Sequence, residues 1–349
     1  MILVILYTNV CAQNNCTQSL KLAEKKLESG HLREVPDIVS DCLHKKLFSS
    51  EEMLKAYKLL TITYLYLDDS LNAENYFYKL LKGFPTFKIN ESVEPSELVN
   101  LYHTYRTLPL YSYGLQFGAN ISHVTPTVLY GIDNLSQRRE DYQHQIGYSG
   151  GLRFEVPLTR RLFINTGPDF SVVKYKNIRS LSTSGLQVEN DINYNFNEVH
   201  FSENQSWLSL PLLIGTSIGR SHVEHYLYGG ASAGYLISAK AMVSRKFTNS
   251  SNSANEIKGP DVNVKSLRTG FNFSGIIGTG LKIKTGLNQV NIEAQYDMGL
   301  TNIINGSRRY SSSQLINRYG YLDNDARLSL FTLKGSYMFI RYKPKKIKQ

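Results

Sequence analysis

The sequence has a single tryptophan, three cysteines and no long run of apolar residues. A membrane-spanning helix needs about 20 consecutive, mostly apolar residues, so no segment qualifies as one. The formal net charge is +10, but Lys and Arg are spread through loops and the Lys343–Lys348 tail, without a recognition-helix or zinc-finger pattern. The sequence therefore predicts no nucleic-acid partner, and the basic residues are expected to face solvent or lipid headgroups.

Aromatic residues other than tryptophan are abundant. The chain has 24 Tyr and 15 Phe, a load that fits the two interfacial girdles of a membrane β-barrel. The mean hydropathy of -0.28 is that of a soluble protein, yet barrel strands escape such averages because half of every strand is polar. A chain of 349 residues is also long enough for two domains.

The stretch Phe271–Leu300 predicts a hairpin of two long strands. Its second arm alternates apolar residues with a polar set, namely Asn291, Glu293, Gln295 and Asp297. A period of two puts successive side chains on opposite faces of a strand. Gly286 lies in the predicted turn, where it can take the positive φ that hairpins need. Long strands with one apolar and one charged face suit a membrane barrel, in which the apolar face meets lipid.

The same period recurs from Leu110 onward and predicts an eight-stranded antiparallel transmembrane barrel over residues 110–342. The predicted connections alternate between short and long. The short ones are Pro157–Arg160, Gly219–His222 and Lys284–Asn288, and the long ones lie near residues 123–143, 176–203, 244–265 and 301–325. This alternation is expected when one rim is periplasmic and the other faces outside. With an even strand number both termini lie on the short-turn rim, so the region before the barrel is predicted to be periplasmic.

The first residues predict a secretory signal. Residues 1–12 have a short apolar core and small residues near the end, which predicts cleavage after Ala12, although the basic n-region is missing. Cleavage leaves Cys16 and Cys42 as an even pair. In an exported chain such a pair predicts a disulfide, with two free buried thiols as the alternative.

Residues 13–85 predict a periplasmic helical domain, so the fold class is α+β. Its last helix pair resembles a tetratricopeptide repeat, in which small residues let two helices approach while aromatic residues fill the gap. The residues at that motif's offsets are Leu60, Thr61, Tyr64, Ala73, Phe77 and Pro85. Such repeats bind partner segments in a groove, but a small disulfide-stapled cap that packs only on itself fits equally well. Residues 86–109 predict a linker with a short helix, and residues 343–349 a basic periplasmic tail.

These features together resemble a known class of protein. The Ala12 site, the cysteine pair, the repeat AYKLL…YLYLDD…AENYFYKLLKGFP and the junction FKINESVEPSELVNLYHTYRTLPLYSYGLQFGAN are similar to Bacteroidota outer-membrane proteins. These proteins join a short periplasmic helical-repeat domain to an eight-stranded barrel of the PorT-like or OmpX-like class. The resemblance covers nearly the whole chain. It implies location and architecture, and it brings no functional residues with it.

Charged residues at inward-facing positions predict a network inside the barrel. They are Arg153, Glu155, Asp169, Lys240, Lys282, Glu293, Asp297 and Lys334. Ions this close must pair or stay hydrated, because burying one alone is costly. The network predicts a salt-bridged plug, since eight strands enclose just enough room for side chains. A proton or ion path is the alternative.

The candidate chemical motifs are weak. His222 and His225 would point to opposite faces of a strand, unlike the helical zinc motif. The Gly275–Gly280 segment lacks the Lys-Ser/Thr of a phosphate loop. His144 with nearby loop serines could form a lipid-modifying hydrolase site, but any rim supplies such residues. We therefore predict no catalytic residue, metal or cofactor.

The sequence predicts a non-enzymatic outer-membrane barrel that contacts outer-membrane lipid. Residues 13–108 are predicted to dock a periplasmic or outer-membrane protein, as an assembly, secretion or structural accessory. Two alternatives remain open. One is an enzyme that modifies outer-membrane lipid, and the other is an adhesin or surface-binding barrel that presents its long extracellular loops.

Overall fold

The protein is seen in a computed structural model that describes residues 2–45, 47–106, 108–131, 138–181, 194–219, 222–249 and 254–347. The chain forms two compact units. The helical unit consists of Met1–Leu110 and Arg341–Gln349, and the barrel unit consists of Tyr111–Ile340. The fold thus combines a helical region with a β-barrel, and each unit is described separately below.

The described residues of the helical unit form five α-helices. They are α1 (Ile2–Glu28), α2 (Val35–His44), α3 (Ser50–Tyr66), α4 (Ser70–Gly83) and α5 (Ser96–His103), with a 3₁₀ turn at Leu32–Glu34. Helix α1 includes the residues predicted to form a signal. Among the described residues, no helix combines the length and the hydrophobicity needed to cross a membrane.

The helix starts follow ordinary capping chemistry. Ser49 and Glu52 form a reciprocal capping box at the start of α3. The Thr17 hydroxyl donates to the Glu52 carboxylate at 2.6 Å, which ties α1 to α3. This hydrogen bond, followed by those from Ser49, lowers the pKa of Glu52 below its ordinary value. At the start of α4 the Asp69 carboxylate accepts from the Asn72 backbone N–H.

The predicted disulfide is present. It joins Cys16 of α1 to Cys42 of α2 across 26 residues of sequence, and both cysteines are buried in an apolar cluster. Four of the six predicted packing positions of α3 and α4 are buried; they are Leu60, Thr61, Ala73 and Phe77. Tyr64 is half-buried and stacks on Tyr76 with ring centroids 5.5 Å apart, and Pro85 is half-buried.

The end of the chain completes the helical unit. The strand β1 (Tyr105–Arg106) pairs with β14 (Lys345–Lys346), and the Ile347 N–H donates to Thr104. The Lys346 ammonium lies 2.5 Å from Glu74 of α4. Within the predicted basic tail, residues 345–346 form a short strand because β1 offers them a free edge.

In the described part of the barrel unit, twelve strands form a single antiparallel sheet. Its strands are β2 (Tyr111–Val128), β3 (Arg138–His144), β4 (Ile146–Pro157), β5 (Leu162–Thr166), β6 (Asp169–Leu181), β7 (Tyr194–Ile218), β8 (Val223–Asn249), β9 (Ala254–Lys258), β10 (Val262–Asn263), β11 (Phe271–Thr285), β12 (Asn288–Gly299) and β13 (Asp325–Arg341). Pairing runs from β8 through β11, β12, β13, β2, β4 and β5 to β7, and β7 pairs again with β8. The sheet therefore closes on itself.

The sheet has more strands than the eight predicted, for two reasons. Leu162, Ile164, Phe170 and Val172 alternate with polar residues, which predicts one strand, but this stretch is divided into β5 and β6 at Gly167-Pro168 because proline lacks an N–H for the ladder. Gly167 has φ +147° and approaches the Leu152 carbonyl so closely that a Cβ would lie 2.2 Å from its oxygen. The other additional strands, β3, β9 and β10, arise in segments that the sequence predicts as long loops.

An apolar band surrounds the outside of the barrel. On β7, Leu208, Leu210, Leu212 and Ile214 are exposed, whereas Asn204, which precedes them on the same face of the strand, is polar. Comparable rows run from Tyr111 to Ile121 on β2 and from Ile146 to Val156 on β4. The rows on β2 and β4 each span about 11 residues, which is the length that a tilted strand needs to cross hydrocarbon. We call this belt of exposed apolar side chains the apolar band.

Beyond the band the two faces of the strands exchange character. We call this region the outer extension; it comprises Val124–Val128, Arg138–His144, Val173–Leu181, Tyr194–Ser206 and Ser238–Asn249. Its inner side chains form an apolar core that includes Val173, Tyr175, Val199, Phe201 and Val243. Much of the predicted long-loop sequence is thus strand, because it keeps the period of two while placing apolar residues inside. Residues 132–137, 182–193 and 250–253 of those loops lie outside the described part.

Loss of the disulfide is expected to destabilise the helical unit. Cys16→Ala with Cys42→Ala should lower its free energy of unfolding by about 2–4 kcal/mol, the usual contribution of a loop-closing disulfide. The measurement is chemical unfolding of the full-length protein in detergent, followed by helical circular dichroism. Reductant should bring wild type to the level of the double variant and leave the variant unchanged. Equal stability of the two proteins under oxidising conditions would contradict the role assigned to the disulfide.

The edge of the apolar band can be tested on one face of one strand. Leu210→Arg should destabilise the folded protein in lipid by about 2–4 kcal/mol, because the charge enters hydrocarbon. Asn204→Arg, on the same face of β7 but outside the band, should cost about 0–1 kcal/mol. The measurement is urea unfolding in liposomes. Similar costs for the two variants would show that the band edge is misplaced.

Candidate functional site

A network of buried ion pairs lies inside the barrel within the apolar band. The Arg153 guanidinium donates to the Glu293 carboxylate at 2.6 Å, and its second terminal nitrogen lies 3.8 Å from Glu155. The Lys282 ammonium contacts the other Glu155 oxygen at 2.5 Å. All four side chains are buried. They meet because each occupies an inward position of its strand, so the alternation that exposes the apolar band also brings these charges together.

A third ion pair joins β13 to β6 across the interior. The Lys334 ammonium contacts Asp169 at 3.0 Å, and the Gln116 amide donates to the other Asp169 oxygen at 3.2 Å. Lys334 is paired in register with Glu293 across β12 and β13. The Asp297 carboxylate, half-buried, accepts from the Gln295 amide at 2.7 Å. Seven of the eight charged residues singled out from the sequence therefore face the interior.

Lys240, the eighth residue, lies on the opposite face and is exposed, contrary to the expectation. The register between β7 and β8 shifts by one residue, because Ser206 pairs with Ser238 while Trp207 pairs with Leu236. Ile237 is skipped, and a skipped residue turns every later side chain of that strand to the other face. If the alternation of residues 227–237 continued without the bulge, Lys240 would lie inside the barrel.

Aromatic side chains fill the interior beside the ions. The Tyr226 hydroxyl donates to Glu293 at 2.5 Å, and the Tyr228 hydroxyl donates to Gln295 at 3.1 Å. The Lys282 ammonium lies 3.5 Å from the centre of the Phe163 ring. These inward positions were not predicted, because aromatic side chains were expected in the outward-facing girdles. Their alternation with exposed Leu227 was the available signal.

A second polar cluster lies in the core of the outer extension. Arg268 is fully buried and contacts Glu203 at 2.5 Å and Asp323 at 2.8 Å. Phe201 and Tyr321 stack with ring centroids 4.2 Å apart. Glu203 and Arg268 were not predicted, because Glu203 lies at the end of a predicted loop and Arg268 lies just after another. Only the folded chain brings positions 203, 268 and 323 together.

The segment Leu300–Asn324 closes the outer extension. It follows β12 and contributes Ile303, Leu315, Tyr319 and Tyr321 to the apolar core. Its backbone is held at Ile303, whose N–H donates to Ala326 and whose carbonyl accepts from Thr269. The predicted long loop at 301–325 is therefore a packed segment, because its apolar residues reach the core.

A polar cavity separates the ion network from this apolar core. It has a volume of about 60 Å³, enough for roughly four water molecules. Its lining includes Asn120, Ser149, Asp169, Asp297 and Lys334. The described interior is otherwise occupied by paired ions, aromatic rings and apolar side chains.

The residues considered for catalysis or metal binding lie apart from this interior. His144 is exposed, its Nδ1 lies 2.6 Å from the Ser122 carbonyl oxygen, and its ring is 5.2 Å from that of His123. His222 and His225 are exposed. Within the described ranges, no group of three or more His, Cys, Asp or Glu side chains is placed to hold a metal.

Replacing one partner of a buried ion pair should lower the free energy of unfolding more than replacing both partners. Arg153→Met leaves Glu293 buried without its partner and should destabilise the barrel by about 3–5 kcal/mol. Arg153→Met combined with Glu293→Gln should recover much of that loss, because no buried charge is left unpaired. Arg161→Met in an exposed turn is the control and should be nearly neutral. Urea unfolding in detergent measures all three, and additive costs in the double variant would contradict the pairing.

Several solved outer-membrane proteins are similar to this chain at low sequence identity and low TM-score. Among solved structures, Ail of Yersinia pestis, the attachment invasion locus protein, is 13% identical and has a TM-score of 0.26, covering 65% of this chain and 98% of its own. OprG of Pseudomonas aeruginosa is 8% identical with a TM-score of 0.32, and the match covers 67% and 98%. The outer membrane protease OmpT of Escherichia coli is 6% identical with a TM-score of 0.25, and the match covers 66% and 96%.

The curated proteins contain no significant match to this sequence. A family model described as an outer membrane protein beta-barrel domain matches residues 109–305. That range spans more than half of the chain and most of the barrel unit. It confirms the prediction of an outer-membrane barrel, whose apolar exterior contacts lipid. The chain belongs to the family of outer membrane protein β-barrel domains.

Proposed function

We propose that this protein is a non-enzymatic outer-membrane anchor whose helical unit docks another envelope protein. The observation that carries the proposal is the filled interior of the barrel. Arg153–Glu293, Lys282–Glu155 and Lys334–Asp169 are paired within the band, and the outer extension has an apolar core. A barrel filled in this way holds a protein in the membrane, so the binding surface is expected elsewhere.

The helical unit supplies a suitable surface. Leu71 and Tyr78 lie seven residues apart on α4 and therefore share one side of the helix. Leu71 is 85% exposed and Tyr78 is 38% exposed, while Ala73 and Phe77 of the same helix are buried. Exposed apolar groups beside a repeat-like helix pair are typical of a surface that binds a partner segment.

The proposal includes an orientation. We propose that the barrel crosses the outer membrane eight times, with β3 and β4 forming one crossing and β5 and β6 another. The short connections would then face the periplasm, together with the helical unit. Residues 1–12 would be the signal that exports the chain. A periplasmic location accords with the disulfide, since that compartment is oxidising. On the basis of resemblance, we also propose that the protein comes from a Bacteroidota outer membrane. On the same basis, we propose that the helix pair is tetratricopeptide-like.

Cross-linking in the native outer membrane tests the docking role. Full-length protein carrying Leu71→Glu and Tyr78→Glu should lose its cross-links to envelope proteins, because two charges enter the proposed contact. The control is Leu129→Glu with Tyr310→Glu, two exposed apolar residues of the barrel unit. Control cross-links should match wild type. Unchanged cross-links in the α4 variant, with normal membrane assembly, would contradict docking through this surface.

A second candidate function rests on the outer extension. The strands β7 and β8 are 25 and 27 residues long, far beyond the apolar band, and their outer faces are polar there. A rigid polar extension of this kind suits a surface-binding or adhesin role. Loss of cross-links or cell-surface binding in the Leu129→Glu, Tyr310→Glu variant alone would favour this second function over the first.

A further inference from the structure

The cavity in the middle of the barrel is lined mainly by oxygen-bearing side chains. Besides Asp169 and Asp297, its lining includes Asn120, Ser149, Ser274 and Thr332. Carboxylate, amide and hydroxyl oxygens are the ligands that hard cations prefer. Lys334 lines the cavity, which lies within the apolar band, between the Arg153–Glu293 pair and the outer extension. It is therefore a polar space enclosed by a protein wall that faces lipid.

The charges around the cavity do not balance. Three cations face the described interior of the band beside and below the cavity, and each has its own carboxylate: Arg153 pairs with Glu293, Lys282 with Glu155 and Lys334 with Asp169. Lys284 and Glu224 form a further neutral pair at 2.7 Å. Asp297 is the remaining carboxylate. In the described part of the chain no cation forms an ion pair with it, and its hydrogen bond comes from the neutral Gln295 amide.

Two neutral oxygens in the same lining also lack partners. The Asn120 side-chain oxygen and the Ser149 hydroxyl are buried without a hydrogen bond to any described group. Asn120 is 1% exposed and Ser149 is 6% exposed. Water molecules can satisfy these oxygens. They cannot neutralise a carboxylate enclosed in a barrel, which needs a positive charge nearby.

We infer that this cavity binds one small monovalent cation of the sodium class. Asp297 supplies the charge, and Asn120 and Ser149 supply neutral oxygen ligands. The deficit is a single charge, so a monovalent ion restores neutrality whereas a divalent ion would exceed it. Lys334 does not compete for this role, because its ammonium is held by Asp169 at 3.0 Å. Binding of the ion completes the plug and couples barrel stability to the cation present.

The test compares cations at constant ionic strength and pH 8. Full-length protein is refolded in non-ionic detergent with sodium chloride, potassium chloride or N-methylglucamine chloride, and its unfolding midpoint is measured. Wild type should be most stable in sodium, and its midpoint should rise with sodium concentration and then saturate. Broadening of the sodium-23 resonance by wild-type protein gives an independent readout of binding.

Variants separate the site from general salt effects. Asp297→Asn should abolish the sodium dependence, and in N-methylglucamine it should be more stable than wild type, because the unpaired charge is gone. Ser149→Ala keeps that charge and loses one ligand, so its half-saturating sodium concentration should rise several-fold. Asp261→Asn, an exposed position, is the control and should behave as wild type.

Three outcomes would overturn the inference. The first is a wild-type midpoint that is the same in all three chlorides, and the second is an undiminished sodium dependence in Asp297→Asn. The third is stabilisation of wild type on lowering the pH with no dependence on cation, because a proton rather than a metal ion would then neutralise Asp297. If Asp297→Asn fails to fold, the Ser149→Ala half-saturation and the sodium-23 signal decide the question.

Discussion

A β-strand has two faces, and in this barrel each face meets different surroundings at different heights. Within the apolar band the outer face meets hydrocarbon, so polar and charged residues must turn inward. Beyond the band the outer face meets water, and apolar residues turn inward instead. On β7 the change falls between Asn204 and Leu208. This exchange depends on the alternation of side chains, since a shift of one residue would reverse every position.

The interior follows from the same constraint. Charges that cannot face lipid are gathered inside a narrow barrel, where each needs a partner because an unpaired buried ion is costly. Arg153, Lys282 and Lys334 each find a carboxylate within 3.0 Å. In the outer extension the core is apolar, and Arg268 joins Glu203 to Asp323 inside it. The two layers together fill the described interior of the barrel.

The helical unit is built on a different principle. Its helices α2 and α5 have 10 and 8 residues, fewer than isolated helices need in water, so their stability comes from packing. The Cys16–Cys42 disulfide fastens α1 to α2, and small residues such as Ala73 let α3 and α4 approach. The strand Lys345–Lys346 adds the end of the chain to the same unit. Described residues from near both ends of the chain, in α1 and in β14, therefore contribute to one unit.

The sequence by itself determined the helical region, the cysteine pair, the barrel and its apolar exterior, because each depends on local periodicity or on residue type. It also predicted that Arg153 and Glu293 would face inward. Tertiary structure decided the rest. Lys240 faces outward because a bulge opposite Ser206 shifts the register, and no local pattern marks that skip. The contact of Arg268 with Asp323 joins residues 55 apart, and the outer extension is strand because distant apolar side chains meet in one core. Such contacts form only when the sheet closes, which is why they could not be predicted from neighbouring residues.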